Sequence, residues 1–410
     1  MDLHLIDRLS EPQGVELLEL IAQQGSADPL ALTTTLRKAC YEPELIAAAL
    51  TQHRLRTKAQ SKLGPFADRM LFTDNGVEQA TRLSVAAHHA QRLLRAGATK
   101  VADLTSGIGA DSMAFAALGL DVLATDIDEL TAAIAAKNLA PFPNAQVRHA
   151  NGLDTDFQAE GVDAIYADPA RRDDVGRRLF TPDSYLPPLD SVWNLVGTVD
   201  SVGIKVGPGI SHDDIPAGCE AQWVSMDGDV VEAGLWFGKA ATHEGLGALV
   251  LTTTATGQQA TQMTADGFDP EPRHSHSASE LKDYLHEPDG AIIRAGLVAH
   301  LANTVDGLLT DPMIAYFTSD APKVSLSEAN DSPHLLTTSY RVLDAIPYNV
   351  KALRAYLSER RVGRVTIKKR GISVTPEQLR PQLKLKGQNE AFIVLTRVNN
   401  LKTVIVVEPT

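Results

Sequence analysis

The sequence feature that most constrains the fold is the stretch from Val101 to Asp128, VADLTSGIGADSMAFAALGLDVLATDID. A short apolar strand leads into a turn that contains Gly107 and Gly109, an apolar helix follows, and a second apolar strand ends at Asp126. This is the pattern of a β-strand, a crossover helix and a parallel β-strand. Because glycine has no side chain, such a turn lets the backbone approach a ligand closely. We therefore predict an α/β sheet of the kind that binds nucleotide-like ligands.

Acidic residues around this turn distinguish between two classes of nucleotide-like ligand. A dinucleotide site requires a third glycine, but Ser112 occupies that position. Asp103 before the turn and Asp111 after it would repel a pyrophosphate, whereas they suit a ligand that carries an amino group and a sulfonium. Asp126 lies 19 residues after Gly107, at the end of the second strand. A carboxylate there can accept hydrogen bonds from both hydroxyls of a ribose.

This pattern resembles the first motif of the class I S-adenosylmethionine-dependent methyltransferases, in which an acidic residue precedes a glycine turn. The resemblance implies a Rossmann-like fold with a seven-stranded sheet, and S-adenosyl-L-methionine as the cofactor. It also implies that Asn151, after the third strand, orients adenine, with Gly152 permitting close approach. The helix predicted to begin at Asn75 would bring Gln79 and Thr81 near the turn, where they could bind the amino acid end of the cofactor. The expected cofactor-binding residues are Gln79, Thr81, Asp103, Thr105, Gly107, Gly109, Asp111, Asp126, Ile127, Asn151 and Gly152.

A second motif, DPARR, starts at Asp168 and directly follows an apolar strand. Ligands of parallel sheets bind at the carboxyl ends of the strands, where this motif lies. Methyl transfer from a sulfonium is an in-line displacement, so the nucleophile must be held close and aligned. If the nucleophile is an exocyclic amine, an acceptor for its N–H makes it more reactive. The catalytic candidates are therefore the carboxylate of Asp168 and the carbonyl of Pro169, without a metal.

This motif resembles the D-P-P-Y motif of enzymes that methylate amines of nucleic acid bases, with an arginine in place of the aromatic residue that stacks on the base. Arginine can stack on a base or hold a phosphate or a carboxylate. We therefore expect Arg171 and Arg172 to bind the substrate, although a surface pair without a partner is the alternative. The departure from the family motif leaves the methylated atom open.

The net charge of −13 is unevenly distributed along the chain. Residues 341–410 contain 14 Lys and Arg against 5 Asp and Glu, a net charge of +9, so the rest of the chain carries about −22. A basic segment on an acidic chain suggests contact with a polyanion, and a basic surface without a partner is the alternative. Residues 54–69 form a smaller basic patch within the acidic part, and most such patches are solvated helix faces.

The basic C-terminal segment is predicted to be a small α+β module. Its strand from Val365 alternates, which places Val365 and Ile367 on one face and Lys368 and Arg370 on the other. The order of its elements and the stretch IKKRG from Ile367 resemble the THUMP-like domains attached to a group of bacterial methyltransferases. Because related THUMP domains bind structured RNA, the resemblance implies RNA, either tRNA or rRNA, as the partner. Lys368, Lys369 and Arg370 are then expected to contact it.

Composition adds constraints on location and domain organisation. The sequence has no run of 18 apolar residues and no basic N-terminal region followed by an apolar one, so neither a membrane span nor a signal peptide is predicted. The two cysteines lack metal-ligand spacing, which is typical of a cytoplasmic chain with free thiols. The oligomeric state is left open. The predicted parts are a helical region over 1–75, a class I methyltransferase domain over 76–255, a connector with helix and strand segments over 256–335, and the basic module over 336–410.

These motifs together predict the transfer of a methyl group from S-adenosylmethionine to a nitrogen of a base in structured RNA. One alternative is a methyltransferase for a small molecule or a protein, in which the basic segment serves only assembly. Another is an RNA-binding protein that keeps the cofactor fold without catalysis. A nicotinamide-dependent enzyme is a third alternative, which a failure to bind S-adenosylmethionine would favour.

Overall fold

The computed structural model describes residues 2–24, 29–171, 185–255, 257–265, 273–324 and 336–410. The chain forms two compact units. The first unit contains Met1–Val206, Ile210–Pro216 and Leu235–Thr242, and the second contains Gly207–Gly209, Ala217–Gly234 and His243–Thr410. No helix in the described ranges combines the length and the apolar character that crossing a membrane requires. The division of the chain into four parts stays a prediction.

The first unit begins with helices that share a core with the sheet that follows them. Three of these helices have proline as their first residue, where its missing N–H costs no hydrogen bond. Leu17, Leu45 and Leu63 from this region belong to the same buried cluster as Val101 and Phe115 of the following α/β unit. The helices are α1 (Leu3–Ser10), α2 (Pro12–Gln23), α3 (Pro29–Lys38), α4 (Pro43–Leu63), α5 (Asp74–Gln79) and α6 (Leu83–Arg95).

Two buried amides hold the extended segment between α4 and α5. The backbone N–H of Phe72 donates to Gln52 Oε1 at 2.9 Å, and Gln52 Nε2 donates to the Phe72 carbonyl at 2.8 Å. Asn138 makes the same pair of bonds with Leu71, at 2.7 and 3.0 Å. Asn138 Nδ2 also donates to the carbonyl of Ile108, in the glycine turn, at 2.9 Å. Because buried backbone groups are costly to leave unpaired, these bonds fix α5 beside the turn.

The sheet of the first unit is parallel and reverses its strand order at its centre. Its remaining elements are β1 (Lys100–Asp103), α7 (Ala110–Ala117), β2 (Asp121–Asp126), α8 (Glu129–Leu139), β3 (Ala145–His149), β4 (Ala164–Ala167), β5 (Ala170–Arg171), β6 (Tyr185–Leu186), α9 (Leu189–Trp193) and β7 (Ser201–Val206). Parallel pairing gives the order β3-β2-β1-β4-β7. The order switches between β1 and β4, where sheets of this kind bind their ligands. β5 and β6 form a separate antiparallel pair.

A hairpin completes the predicted set of seven strands. β8 (Glu220–Met226) and β9 (Asp229–Gly238) are joined by Asp227 and Gly228, which have φ values of 52° and 89°. These positive values are typical of the two-residue turns that match the twist of a hairpin. β9 enters the first unit at Leu235 and lies beside β7 there, which gives the order β3-β2-β1-β4-β7-β9-β8. The fold therefore agrees with the predicted class I sheet.

Two further strands follow in the second unit. β10 (Gly245–Thr254) pairs in parallel with β8, and β11 (Gly257–Ala265) pairs antiparallel with β10. Residues 257–265 belong to the predicted connector, yet they form a strand. Thr261, Met263 and Ala265 are buried and alternate with exposed neighbours, which is the period of a half-buried strand.

The rest of the second unit contains a seven-stranded sheet. Its elements are β12 (Tyr284–Pro288), α10 (Gly290–Arg294), α11 (Val298–Asn303), β13 (Leu308–Asp311), β14 (Ile314–Ser319), β15 (Thr337–Pro347), α12 (Val350–Glu359), β16 (Val362–Lys369), α13 (Pro376–Leu383), β17 (Asn389–Val398) and β18 (Leu401–Pro409). The strand order is β13-β14-β12-β15-β18-β17-β16, and β16 and β17 are parallel. Leu353 of α12 and Leu379 of α13 pack with Val365 and Ile367 of β16, which share one face as the alternation predicted.

Candidate functional site

A cleft of about 460 Å³ opens at the carboxyl edge of the sheet in the first unit. It is lined by the glycine turn, by α5 and the residues up to Thr81, and by three carboxylates at strand ends. Asp103 ends β1, Asp126 ends β2, and Asp168 follows β4. The sheet topology therefore brings residues from three separate motifs of the sequence to one site.

The glycine turn presents open backbone to this cleft. Gly107 has a φ of 55°, and no atom lies within 4 Å of the position of a Cβ there. Its N–H donates to Asp126 Oδ2 at 3.0 Å, and the other oxygen of Asp126 accepts from the N–H of Asp128 at 2.9 Å. Burial raises the pKa of Asp126. Ile127, whose side chain is 65% exposed, supplies an apolar surface beside this carboxylate.

The loop after β3 places Asn151 and Gly152 on the same cleft. A Cβ on Gly152 would lie 2.6 Å from Thr125 Oγ1 and 2.7 Å from the Leu104 carbonyl, so packing within the fold also requires this glycine. The Asn151 amide donates to Asp154 at 3.1 Å, and its oxygen accepts from the backbone of the same loop. The predicted contact of Asn151 with adenine stays a prediction.

Two buried carboxylates behind the turn differ in their pKa. Burial raises the pKa of Asp103 to about 7, and a hydrogen bond from Ser112 Oγ at 2.5 Å opposes this effect only in part. Burial acts in the same direction on Asp111, but the hydrogen bond and charge of His89, with the charge of Lys205, outweigh it and lower the pKa of Asp111. The site therefore combines a titratable carboxyl near neutral pH with a carboxylate that stays ionised.

A continuous hydrogen-bonded chain connects Asp168 with the interior. Lys205 Nζ donates to Asp168 Oδ2 at 2.6 Å and to Thr81 Oγ1 at 2.7 Å. The Thr81 hydroxyl donates to Asp111 Oδ2 at 2.6 Å, and His89 Nδ1 lies 2.9 Å from Asp111 Oδ1. Because only 13% of the Lys205 side chain is exposed, its ammonium is a fixed donor rather than a mobile surface charge.

The sequence did not identify several members of this chain. No motif of the sequence includes Lys205, although a single lysine among the buried residues of a strand is a signal for a paired charge. No motif includes His89 either, and it is buried and hydrogen-bonded. The helix predicted from Asn75 is two helices, capped first by Thr73. Because α5 ends at Gln79 and α6 begins at Leu83, Thr81 lies between the helices and can join the series of hydrogen bonds.

The comparison with known proteins decides the family. An uncharacterised S-adenosylmethionine-dependent methyltransferase of Mycobacterium tuberculosis strain H37Rv is 30% identical over 359 residues, which are 84% of this chain and 90% of that protein. The corresponding methyltransferase of strain CDC 1551 / Oshkosh has the same identity and coverage. The chain belongs to the S-adenosylmethionine-dependent methyltransferases. The predicted enzyme class and the predicted cofactor, S-adenosyl-L-methionine, are thereby confirmed.

Other comparisons cover parts of this methyltransferase or its fold. A crystal structure of a candidate methyltransferase from Porphyromonas gingivalis W83 matches with a TM-score of 0.71 and 20% identity, and covers 90% of this chain and 92% of that one. The THUMP domain-like family matches residues 337–409, which confirms the resemblance of the C-terminal part. A domain of unknown function (DUF8688) matches residues 2–59.

The cleft of the methyltransferase fits its cofactor. Its volume lies within the range of small-molecule sites. The open side of Gly107 admits close backbone contact, and the carboxylate of Asp126 stands at the position expected for a ribose partner. Ile127 provides an apolar surface suited to a ring. The acidic lining suits a cationic ligand and disfavours a pyrophosphate.

The predicted substrate residues lie in different surroundings. Arg171 is the last residue of β5, and Arg172 falls outside the described residues. In the second unit, Lys368 and Arg370 both contact Glu287, at 2.5 and 3.4 Å. Lys369 is exposed. The roles of all five predicted substrate residues stay predictions.

Proposed function

We propose that this methyltransferase methylates a nitrogen of a base in structured RNA. The observation that supports the substrate class most directly is the THUMP-like part, whose helical layer carries exposed cations that form no close ion pair among the described residues. The first unit supplies the cofactor cleft and a hydrogen-bonded carboxylate at its edge. The reaction needs both a cofactor cleft and a surface that binds RNA, and the same chain contains a candidate for each.

In the proposed cofactor site, the backbone at Gly107 contacts the ligand, and Gly109, which packs against Leu139, gives the turn its shape. Asp126 accepts the ribose hydroxyls, and Asp103 in its ionised form pairs with the cofactor ammonium. Gln79, exposed at the edge of the cleft, binds the amino acid end. The bound cofactor supplies an electrophilic methyl group. The chain supplies orientation, which is worth several orders of magnitude in rate, and an acceptor for the proton that the amine nitrogen loses.

The proposed catalytic group is Asp168, with the carbonyl of Pro169. Lys205 holds one oxygen of the Asp168 carboxylate at 2.6 Å, and the Asp168 N–H donates to Thr105 Oγ1 at 2.7 Å. These contacts fix both the side chain and the backbone of Asp168 at the edge of the cleft. A carboxylate fixed there accepts an N–H of the amine, and so orients the nitrogen lone pair towards the methyl donor.

The proposed RNA-binding surface is the helical layer of the THUMP-like part. We define it by its exposed cations, which form no ion pair within the described part of the chain: Lys351, Arg354, Arg380, Lys384 and Lys386. Lys368 and Arg370, in contrast, share the carboxylate of Glu287, which neutralises part of their charge. Exposed cations without partners bind phosphates by releasing counterions, which is sequence-independent.

The salt dependence of RNA binding tests this surface. In the full-length protein, replacing Arg354, Arg380 and Lys384 with glutamine is expected to weaken binding of structured RNA. The slope of log K against log salt concentration is expected to become shallower by about 2 to 3 units, because each of the three lost phosphate contacts removes about 0.7 to 0.9 unit. Filter binding over a range of salt concentrations measures both quantities.

A matched control neutralises the same number of charges in the first unit. Arg37, Lys38 and Arg69 are also exposed. Their replacement with glutamine is expected to leave the salt slope within about half a unit of the wild-type value, because they lie outside the proposed surface. Equal effects of the two triple variants would contradict a specific RNA surface on the THUMP-like part.

A further inference from the structure

Two cations of the basic patch predicted over residues 54–69 form exposed ion pairs. Arg54 pairs with Asp74 at 2.9 Å, and Lys58 pairs with Glu78 at 2.8 Å. Both carboxylates belong to α5, which lines the cofactor cleft. These two ion pairs therefore connect α4 with α5, although solvent weakens them. Lys62, one turn further along α4, has different partners.

Three cations meet at the segment between α5 and α6. Lys62 Nζ donates to the carbonyl of Ala80 at 3.0 Å, and Lys205 Nζ donates to the hydroxyl of Thr81 at 2.7 Å. Arg82 is the next residue and is half-buried. Its side chain forms no hydrogen bond or ion pair with any residue that the structure describes. We call Lys62, Arg82 and Lys205 the cation cluster.

The charges of the cation cluster are only partly compensated. Asp168 pairs with Lys205, and the charge of Asp111 also acts on Lys205. The hydrogen-bond partners of Lys62 are the carbonyl oxygens of Glu78 and Ala80, and the Glu78 carboxylate, which pairs with Lys58, compensates Lys62 only in part. Burial lowers the pKa of Lys62, and the positive charges of Lys205, Arg82 and Lys58 lower it further. Like charges gathered in a partly desolvated place raise the free energy of the folded protein. Such arrangements are typical of functional sites in which an anionic ligand supplies the missing charge.

We propose that the cation cluster binds a phosphodiester group of the substrate RNA, next to the nucleotide that is methylated. This inference rests on the proposed function. Lys205 contacts both Asp168 and Thr81, the residue before Arg82, so a phosphate held by the cluster lies close to the proposed catalytic carboxylate. The guanidinium of Arg82 provides the paired donors that match a phosphate. A phosphate fixed at this point positions the backbone while the base enters the cleft.

Steady-state kinetics of the full-length Arg82→Gln protein test this site. The KM for structured RNA is expected to rise about 10-fold or more, because a charged hydrogen bond is lost. The dissociation constant of S-adenosylmethionine, measured by calorimetry, is expected to stay within about twofold. Arg95→Gln removes an exposed arginine at the other end of α6 and is expected to leave the KM unchanged. Arg82→Lys is expected to restore part of the affinity, since it keeps the charge but not the paired donors.

Thermal unfolding gives a readout that a purely structural role of Arg82 would not produce. Removing one of the crowded like charges is expected to raise the Tm of the free Arg82→Gln protein. Inorganic phosphate is expected to raise the Tm of the wild type and of Arg95→Gln, but less that of Arg82→Gln. A lower Tm of free Arg82→Gln, or an equal phosphate response, would overturn the assignment.

Methylation kinetics and the phosphate response of the Tm together show whether the phosphate site or the proposed function is wrong. If the wild type methylates RNA and Arg82→Gln does so with the same KM, the phosphate site is wrong while the RNA substrate stands. If the wild type does not methylate RNA, the proposed function fails and the RNA phosphate site fails with it. An Arg82-dependent response to inorganic phosphate would then show that a phosphate site exists for another acceptor.

Discussion

Replacing Asp168 with alanine is expected to lower kcat for methyl transfer by about 10²- to 10³-fold, which is the usual loss when one fixed polar contact to a reacting group is removed. The carboxylate is held by Lys205 at 2.6 Å, so its position does not depend on the substrate. Affinity for S-adenosylmethionine is expected to change by less than about threefold, because Asp168 is assigned to the acceptor rather than to the cofactor. Rates with saturating cofactor and RNA, together with calorimetry, measure the two effects separately.

Asp168→Asn is the informative companion variant. Asparagine keeps an oxygen that can accept the N–H of the amine, but it loses the negative charge that faces Lys205. Its kcat is therefore expected to lie between those of the wild type and of Asp168→Ala. If alanine at this position left kcat within a few-fold of the wild type, Asp168 would not be the acceptor group. A loss confined to cofactor affinity would move Asp168 into the cofactor site.

The affinity for S-adenosylmethionine is expected to rise about 10-fold per pH unit up to about pH 7, and to level off above it. Burial raises the pKa of Asp103 to about 7, so this carboxyl is mostly protonated in the free protein below that pH. The proposed ionised pair with the cofactor ammonium forms only after that proton leaves. Binding at low pH must therefore release a proton, which weakens it. Calorimetry between pH 5.5 and 8.5, in buffers of different ionisation enthalpy, measures both affinity and proton release.

Variants of Asp103 and of Asp126 show which carboxyl group causes this pH dependence. Asp103→Asn is expected to bind S-adenosylmethionine weakly and with little dependence on pH below 7. Asp126→Asn should also bind weakly but keep the steep rise, because Asp103 is still present. A flat wild-type profile across pH 7 would show that Asp103 does not pair with the cofactor.

The part of the site that the sequence could predict is local. Asp103, Gly107 and Asp126 belong to one strand, turn, helix and strand unit of under 30 residues, and parallel strands bring their carboxyl ends to one edge. Asp168 was found for the same reason, since it directly follows a buried strand. The family resemblance supplied the number of strands and the identity of the cofactor, which no single pattern contains.

The contacts that complete the site are long-range and were missed. Lys205 meets Asp168 across 37 residues and Thr81 across 124, and no periodicity specifies such a pair. Alternation assigned Lys368 correctly to the face opposite Ile367. It could not show that Glu287, 81 residues earlier, shares that face as a counter-ion. Charge patterns thus locate basic segments, but tertiary structure decides which cations remain without partners.

Transfer of labelled methyl groups is the most direct test of the proposed function. The purified full-length protein would be incubated with methyl-labelled S-adenosylmethionine and RNA from cells that lack this protein, so that target positions are unmodified. The proposal predicts label in structured RNA, at a base nitrogen after digestion to nucleosides, and none with Asp168→Ala. Label in protein or in small molecules, with unlabelled RNA, would contradict it.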